Sequence, residues 1–113
     1  MNIKIKTGLT VYPKDCVFDD LHPKHQIEKI RQLVEMKEDF ELSTNSDFII
    51  RELNYLIMKN IILPSNVIAL EDGKRLEVNV FGFESKSIDD VIDEQNVRME
   101  ELYYKLKYGN DEV

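Results

Sequence analysis

A chain of 113 residues with 22 acidic and 15 basic side chains has a formal net charge of −7 and a sequence pI near 4.8. Its length fits one domain able to bury a core without metal or disulfide staples, and its negative balance argues against broad attraction to nucleic acid or an anionic membrane, which need a positive field. The lone Cys16 excludes an intrachain disulfide and fits a reducing compartment; no apolar run reaches the roughly 20 residues of a membrane span, and MNIKIK alternates charge with isoleucine where a signal peptide has an apolar core, so a cytoplasmic location is expected.

Asn2 to Thr7 alternates Ile3 and Ile5 with Lys4 and Lys6, the period of a strand with one face buried. Leu9 to Tyr12 resumes the alternation after Gly8 with Leu9 and Val11 inward, which reads as a hairpin turning at Thr7 and Gly8 or as one strand bulged at Gly8, ended by Pro13. Lys14 to His22 has no period but collects possible ligands in Cys16, Asp19, Asp20 and His22, with His25 just beyond. Structural zinc wants four ligands in paired motifs, and here there is a single cysteine. A loop entering a helix explains the same residues more simply, with Asp19 and Asp20 near its positive end and Pro23 in its first turn, so no metal or cofactor is expected.

That helix is expected over Pro23 to Glu38, with Ile27, Ile30, Leu33 and Val34 on one face and Lys24, Glu28, Arg31 and Glu35 on the other. Phe40 and Leu42 then cap the core beneath the connection to Thr44. Thr44 to Leu63 is the most apolar stretch and the expected central helix, started by Thr44 with Asp47 as a capping-box variant and stopped near Lys59 or Asn60, ahead of Pro64. Ile49, Ile50, Leu53, Leu56 and Ile57 form its core arc, while Arg51, Glu52, Asn54 and Lys59 lie opposite with Phe48, Tyr55 and Met58 among them. Burying one such apolar side chain is worth about 1.5–3 kcal/mol, so these three should be covered. Cover by another part of the chain is preferred; a partner surface is the other reading.

Ser65 to Phe83 reads as a hairpin around Asp72 and Gly73, because a type I′ turn needs positive φ at both central positions. Its register sets Glu71 against Lys74, Ala69 against Leu76 and Val67 against Val78, with Val80 extending the apolar face and Phe81 and Phe83 opposite it. A last helix is expected from Ser85 to Gly109, with Ser87 as N-cap, Asp90 at the capping-box position and Lys105 and Lys107 near the end. Ile88, Ile92, Gln95, Met99, Leu102 and Leu106 follow 4-3-4-3-4 spacing, for which ordinary packing on the domain is preferred over a homodimeric coiled coil. Val97, Tyr104 and Tyr108 form a second, minor face, and this helix is the expected cover for Phe48, Tyr55 and Met58.

The resulting expectation is a single α+β domain over residues 1–110, with three helices and an antiparallel sheet built from the N-terminal strand or hairpin and the Asp72-Gly73 hairpin; residues 111–113 form a tail. Phosphate loops of the GxGxxG or GxxxxGK[ST] type, a GxSxG elbow, HExxH and paired CxxC are all absent from the sequence. Cys16 with His22 or His25 lacks an identifiable orienting group, and the pairs Asp19/Asp20 and Asp89/Asp90 read as helix-capping acids. The function expected is therefore non-enzymatic: a protein-interaction module, such as an adaptor, an inhibitor or immunity-type protein or a small assembly subunit. Phe48, Tyr55, Met58, Val97, Tyr104 and Tyr108 are its candidate partner-binding residues on an acidic, partly aromatic surface. Abundant Ile, Lys and Asn with Ala69 as the only alanine suit a low-GC bacterial or phage genome. The alternative is a winged-helix-like DNA-binding regulator, with the 66–83 hairpin as wing and the C-terminal helix for dimerisation; Arg51 and Lys59 are then the only cations on its recognition helix, where such readers carry more.

Overall fold

The computed structural model describes residues 1–108, apart from the side chains of residues 87, 89–92 and 108, and holds three α-helices and a four-stranded sheet. In chain order these are β1 (Ile3–Thr7), α1 (Pro23–Glu35), β2 (Phe40–Ser43), α2 (Asp47–Met58), β3 (Val67–Glu71), β4 (Lys74–Arg75) and α3 (Lys86–Tyr108). The sheet order is β2-β1-β3-β4. β1 pairs in parallel with both β2 and β3, and only β3 with β4 is antiparallel. The α+β class stands, but the expected antiparallel sheet is corrected to a mixed one. Parallel neighbours need a crossover between them, and α1 and α2 supply the two crossovers.

The corrections at the N-terminus share one cause. Phe40–Ser43, read as a core cap, is a strand, and with β3 it occupies both edges of β1. No edge is left for a returning hairpin strand. Gly8 takes φ 106° to leave the sheet, and Leu9, expected inward, is exposed. Inward residues of the sheet are Ile3, Ile5, Leu42, Val67 and Ala69. They form one core with Ile30 and Val34 of α1, with Ile49, Ile50, Leu53, Leu56 and Ile57 of α2, and with Ile62 and Phe83. Both crossover helices therefore lie on the same face, making two layers.

Helix boundaries follow local chemistry. α1 stops at Glu35, short of Glu38, and Lys37 just beyond it takes a left-handed φ of 57°. Its N-cap is His22, whose Nδ1 accepts from the Lys24 amide at 3.2 Å, ahead of Pro23 in the first turn. α2 begins after Ser46 instead of Thr44, because Thr44 is buried with its hydroxyl donating to Asp19 Oδ1 at 2.6 Å and accepting from the Ser46 amide at 3.0 Å. Asn60 ends it in left-handed geometry, as expected. Glu52, read as a surface residue, is buried and accepts from Arg31 Nε at 2.9 Å.

Asp72 and Gly73 have the positive φ values of a type I′ turn, 51° and 80°. The expected register holds for Glu71 with Lys74, and the Leu76 amide donates to Ala69 O at 2.8 Å. It goes no further. Val80 and Phe81 are exposed, and a turn closed by reciprocal bonds between Asn79 and Gly82 redirects the chain. Asn54 of α2 then clamps Phe83 into the core, its Nδ2 donating to Phe83 O at 2.8 Å and its Oδ1 accepting from Phe83 N at 3.0 Å. Gly82 has φ 95°, and a Cβ there would strike the Asn54 side chain.

α3 starts at Lys86, so Ser87 lies inside it instead of capping it; the expected stop at Gly109 and the tail at 111–113 lie outside the described residues. At 1.5 Å per residue the helix is about 34 Å long. Every described side chain from Asp93 to Lys107 is exposed. The principal extents are 62 × 29 × 28 Å, and the radius of gyration is 17.3 Å where a compact chain of this length has about 13 Å. The helix is an arm, not the expected cover for α2.

Two outcomes follow. Removing the chain from Glu94 onward should leave the stability of the remaining body unchanged within about 0.5 kcal/mol in urea titration, because the arm is not packed on it. Asn54→Ala should cost about 1–3 kcal/mol in the same assay, because it strips Phe83 of both backbone partners.

Candidate interaction surface

The polar residues of the fold gather at the carboxyl ends of the parallel strands, the edge at which open α/β sheets bind ligands. Here they bond to one another. Asn45 Oδ1 accepts from Thr7 Oγ1 at 2.9 Å and from the Gly8 amide at 2.8 Å, while its Nδ2 donates to Gly8 O at 3.1 Å. Asp19 accepts from Thr44 Oγ1 and, at 2.8 Å, from the Asn45 amide. Gln26, buried on α1, donates to the Asp19 and Leu21 carbonyls and accepts from Ser46 Oγ. No buried side-chain polar atom among the described residues lacks a partner. The cluster is a clasp between β1, β2 and α1, and the shallow cavity of about 290 Å³ beside it is lined by Thr7, Thr10, Tyr12, Ser43 and Leu70 among others.

The residues weighed as a metal or nucleophile site are employed structurally. His22 caps α1, His25 Nδ1 lies 3.3 Å from Glu28, and Asp19 belongs to the clasp. Among the described residues no group of three or more His, Cys, Asp or Glu is placed to hold a metal ion. Cys16 is buried, with Sγ donating to Tyr12 O at 3.6 Å, and its thiol is pushed up to about 11, chiefly by burial and then by the negative charge of Asp19. That disfavours the thiolate a nucleophile needs.

The six residues expected to bind a partner fall on two helices. Phe48, Tyr55 and Met58 lie on the outer side of α2 and are 50, 44 and 53% exposed. Val97 and Tyr104 lie on α3 with 53 and 52% exposed, and Tyr108 ends that helix with its side chain outside the described residues. The two groups do not cover each other. The heptad-spaced Met99, Leu102 and Leu106 are exposed as well, at 69, 56 and 71%, so of that stripe Ile88 packs against the core, the side chain of Ile92 lies outside the described residues, and the expected packing is overturned from Gln95 onward. Around the α2 group, Arg51 is spent on Asp47 at 2.6 Å and the Lys59 ammonium lies 5.6 Å from the Tyr55 ring centre.

A third surface went unread in the sequence: the face of the sheet turned away from the helices. In the observed register Lys4 and Lys6 share that face with Glu41, Ser43, Ile68, Leu70 and Arg75. Ile68 is 41% exposed, and Lys6 Nζ pairs with Glu41 at 2.6 Å. The signal was present in Val67–Leu70, four consecutive apolar residues, which is the composition of a parallel strand with both faces covered and not of a half-exposed hairpin.

No family model matches the chain, and neither does any curated protein or solved structure. Among the described residues no helix is long and apolar enough to cross a membrane.

At pH 8 the folded protein should alkylate with iodoacetamide roughly 100-fold more slowly than an ordinary cysteine, because the raised value depletes the thiolate by that factor, and unfolding in urea should restore the normal rate. A normal rate in the folded state would contradict the burial of Cys16. Asp72 gives a pH signature: the Thr10 amide donates to its Oδ1 at 2.8 Å and holds its carboxyl below the usual carboxylate range. A lowered folded value stabilises above the ordinary carboxylate pKa, and that contribution is lost as pH falls through the folded value. Stability curves for the wild type and Asp72→Asn should therefore differ at neutral pH and converge in strong acid.

Proposed function

We propose that the chain is a non-enzymatic protein-interaction module, of the adaptor, inhibitor or assembly-subunit kind, acting through α3 and the outer side of α2. The observation that carries this reading is the arm itself, with Val97, Met99, Leu102, Tyr103, Tyr104 and Leu106 all more than half exposed along one helix. Each leaves about 1.5–3 kcal/mol of burial unrealised in the isolated chain. Exposed apolar residues gathered on a helix face mark a binding surface, here on two faces of the arm, and Tyr, Phe and Met are types enriched in interface cores. The clasp supports the same reading, since the polar groups at the strand ends are already satisfied by each other.

The test uses Tyr55→Asp and Tyr104→Asp in the full chain. Both should keep the wild-type urea midpoint within about 0.5 kcal/mol and lose at least ten-fold in affinity for whatever partner the wild type binds. Unfolding of either variant would mean that its position is core. A stable fold with unaltered association would remove these surfaces from the function.

A further inference from the structure

Resting on the interaction reading, we propose that the bare face of the sheet is the docking site for the acidic face of α3 from a second copy of this chain, the exchange being reciprocal. The face itself supplies the first argument. Strands β2, β1 and β3 are parallel, and parallel sheets are normally covered on both faces. Here α1 and α2 share one face, and among the described residues no helix packs on the other. Ile68 is exposed there beside Leu70, flanked by Lys4, Lys6 and Arg75; Glu41 is paired with Lys6, and Glu77 follows just past β4. The face thus carries three cations against the two acids Glu41 and Glu77, and the loop through Thr10, Tyr12 and Asp15 borders its carboxyl-end part at Lys6, Ser43 and Leu70.

The second argument is what α3 presents. At about 100° per residue, Val97 and Tyr104 fall in one arc with Asp93, Glu94, Glu100 and Glu101 around them, whereas Arg98 and Lys105 flank the opposite stripe of Met99, Leu102 and Leu106. The arm therefore has an acidic aromatic face, all of it exposed. It complements a basic apolar one, and opposite potentials fix both partner and orientation. On the α2 side both cations are engaged, Arg51 by Asp47 and Lys59 over Tyr55, whereas on the sheet face Lys6 is paired with Glu41 and Lys4 and Arg75 have no ion-pair partner within 4 Å among the described residues.

The third argument is connectivity. Asn54 of α2 clamps Phe83 just before α3 begins, so the arm leaves from the helix layer while the bare face lies on the other side of the same body. A second copy brings the two together. The described part of the arm, Asp93 to Lys107, spans about 22 Å, enough to cross four strands spaced about 4.8 Å apart. A stable dimer buries about 1,600 Å² in total, and a reciprocal exchange divides that requirement between two contacts. Reciprocity also closes the assembly by two-fold symmetry instead of leaving a growing chain.

Sedimentation equilibrium of the full chain should give twice the 13.3 kDa monomer mass at micromolar concentration. Ile68→Glu, which blocks the acceptor face, and Tyr104→Glu, which spoils the donor face, should each be monomeric with unchanged circular dichroism. An equimolar mixture of the two should regain association, weaker than that of the wild type, because one of the two reciprocal contacts remains intact. Lys4→Glu with Arg75→Glu should weaken the dimer at least ten-fold, and adding Glu100→Lys and Glu101→Lys should restore it. A dimer insensitive to Ile68→Glu and to the Lys4 and Arg75 reversal would overturn the docking site in favour of helix-to-helix pairing. A wild-type monomer at 100-fold higher concentration would overturn the second copy as occupant, while loss of a foreign partner in Tyr104→Asp would still uphold the broader interaction reading.

Discussion

The parallel pairing of β1 on both of its edges is the constraint from which the remaining architecture follows. Parallel neighbours cannot be joined by a tight turn, so α1 and α2 are committed to crossover duty and meet in the same layer. Asn45 holds this arrangement at the carboxyl end: one carboxamide takes the Gly8 amide and Thr7 hydroxyl and returns a bond to Gly8 O. Its own amide is held by Asp19, whose other oxygen takes Thr44. A three-way tie between strand ends and the loop before α1 specifies register more sharply than apolar alternation, which tolerates a slip by two residues.

Filling one face of the sheet with both crossovers leaves two consequences. The core is closed by Phe83, and the helix that follows touches it through Ile88 in its first turn while Asp93 to Lys107 stand free of it. The other sheet face keeps Ile68 in solvent, although β3 has the apolar run of a strand covered on both sides. An arm without a groove and a face without a cover are thus two products of the same topological choice. Their chemistry differs in sign: one arc of the arm carries Asp93, Glu94, Glu100 and Glu101, and the face carries Lys4, Lys6 and Arg75 against Glu41 and Glu77.

Legibility in the sequence tracks the range of the interactions involved. The core arc of α2 and the Asp72-Gly73 turn are set by neighbours a few residues apart, and both were readable. The N-cap was misplaced because Thr44 and Ser46 are both good caps, and the choice is made by Asp19, 25 residues away, which draws the Thr44 hydroxyl to itself. The strand at Phe40–Ser43 is too short for a visible period and becomes a strand only because β1 offers an edge. Glu52 was read as surface because nothing local reveals that Arg31 stands over it. For the candidate site, residue types were legible and their setting was not: Phe48, Tyr55, Val97 and Tyr104 were recognised as a second apolar side, but whether the chain would fold that side inward depended on the path through Asn79 to Phe83.

The arm raises an energetic question that the rest of the fold does not. Helix nucleation is costly, and most helical stability in proteins comes from tertiary packing, which Asp93 to Lys107 lack. Local support exists in the Glu94–Arg98 pair at 2.6 Å, the Lys107 ammonium donating to the Tyr103 hydroxyl at 3.2 Å, and Lys105 and Lys107 near the negative helix end. Each such term is worth a few tenths of a kcal/mol, against about 1.5–3 kcal/mol for each large apolar side chain that docking would bury. The balance therefore lies with contacts outside the chain. Association and full ordering of the arm are then thermodynamically linked: whatever binds the helical arm stabilises the helix by the same mass action that holds the complex. A two-faced helix suits that role, because either face can be buried while the other keeps its charged residues in water.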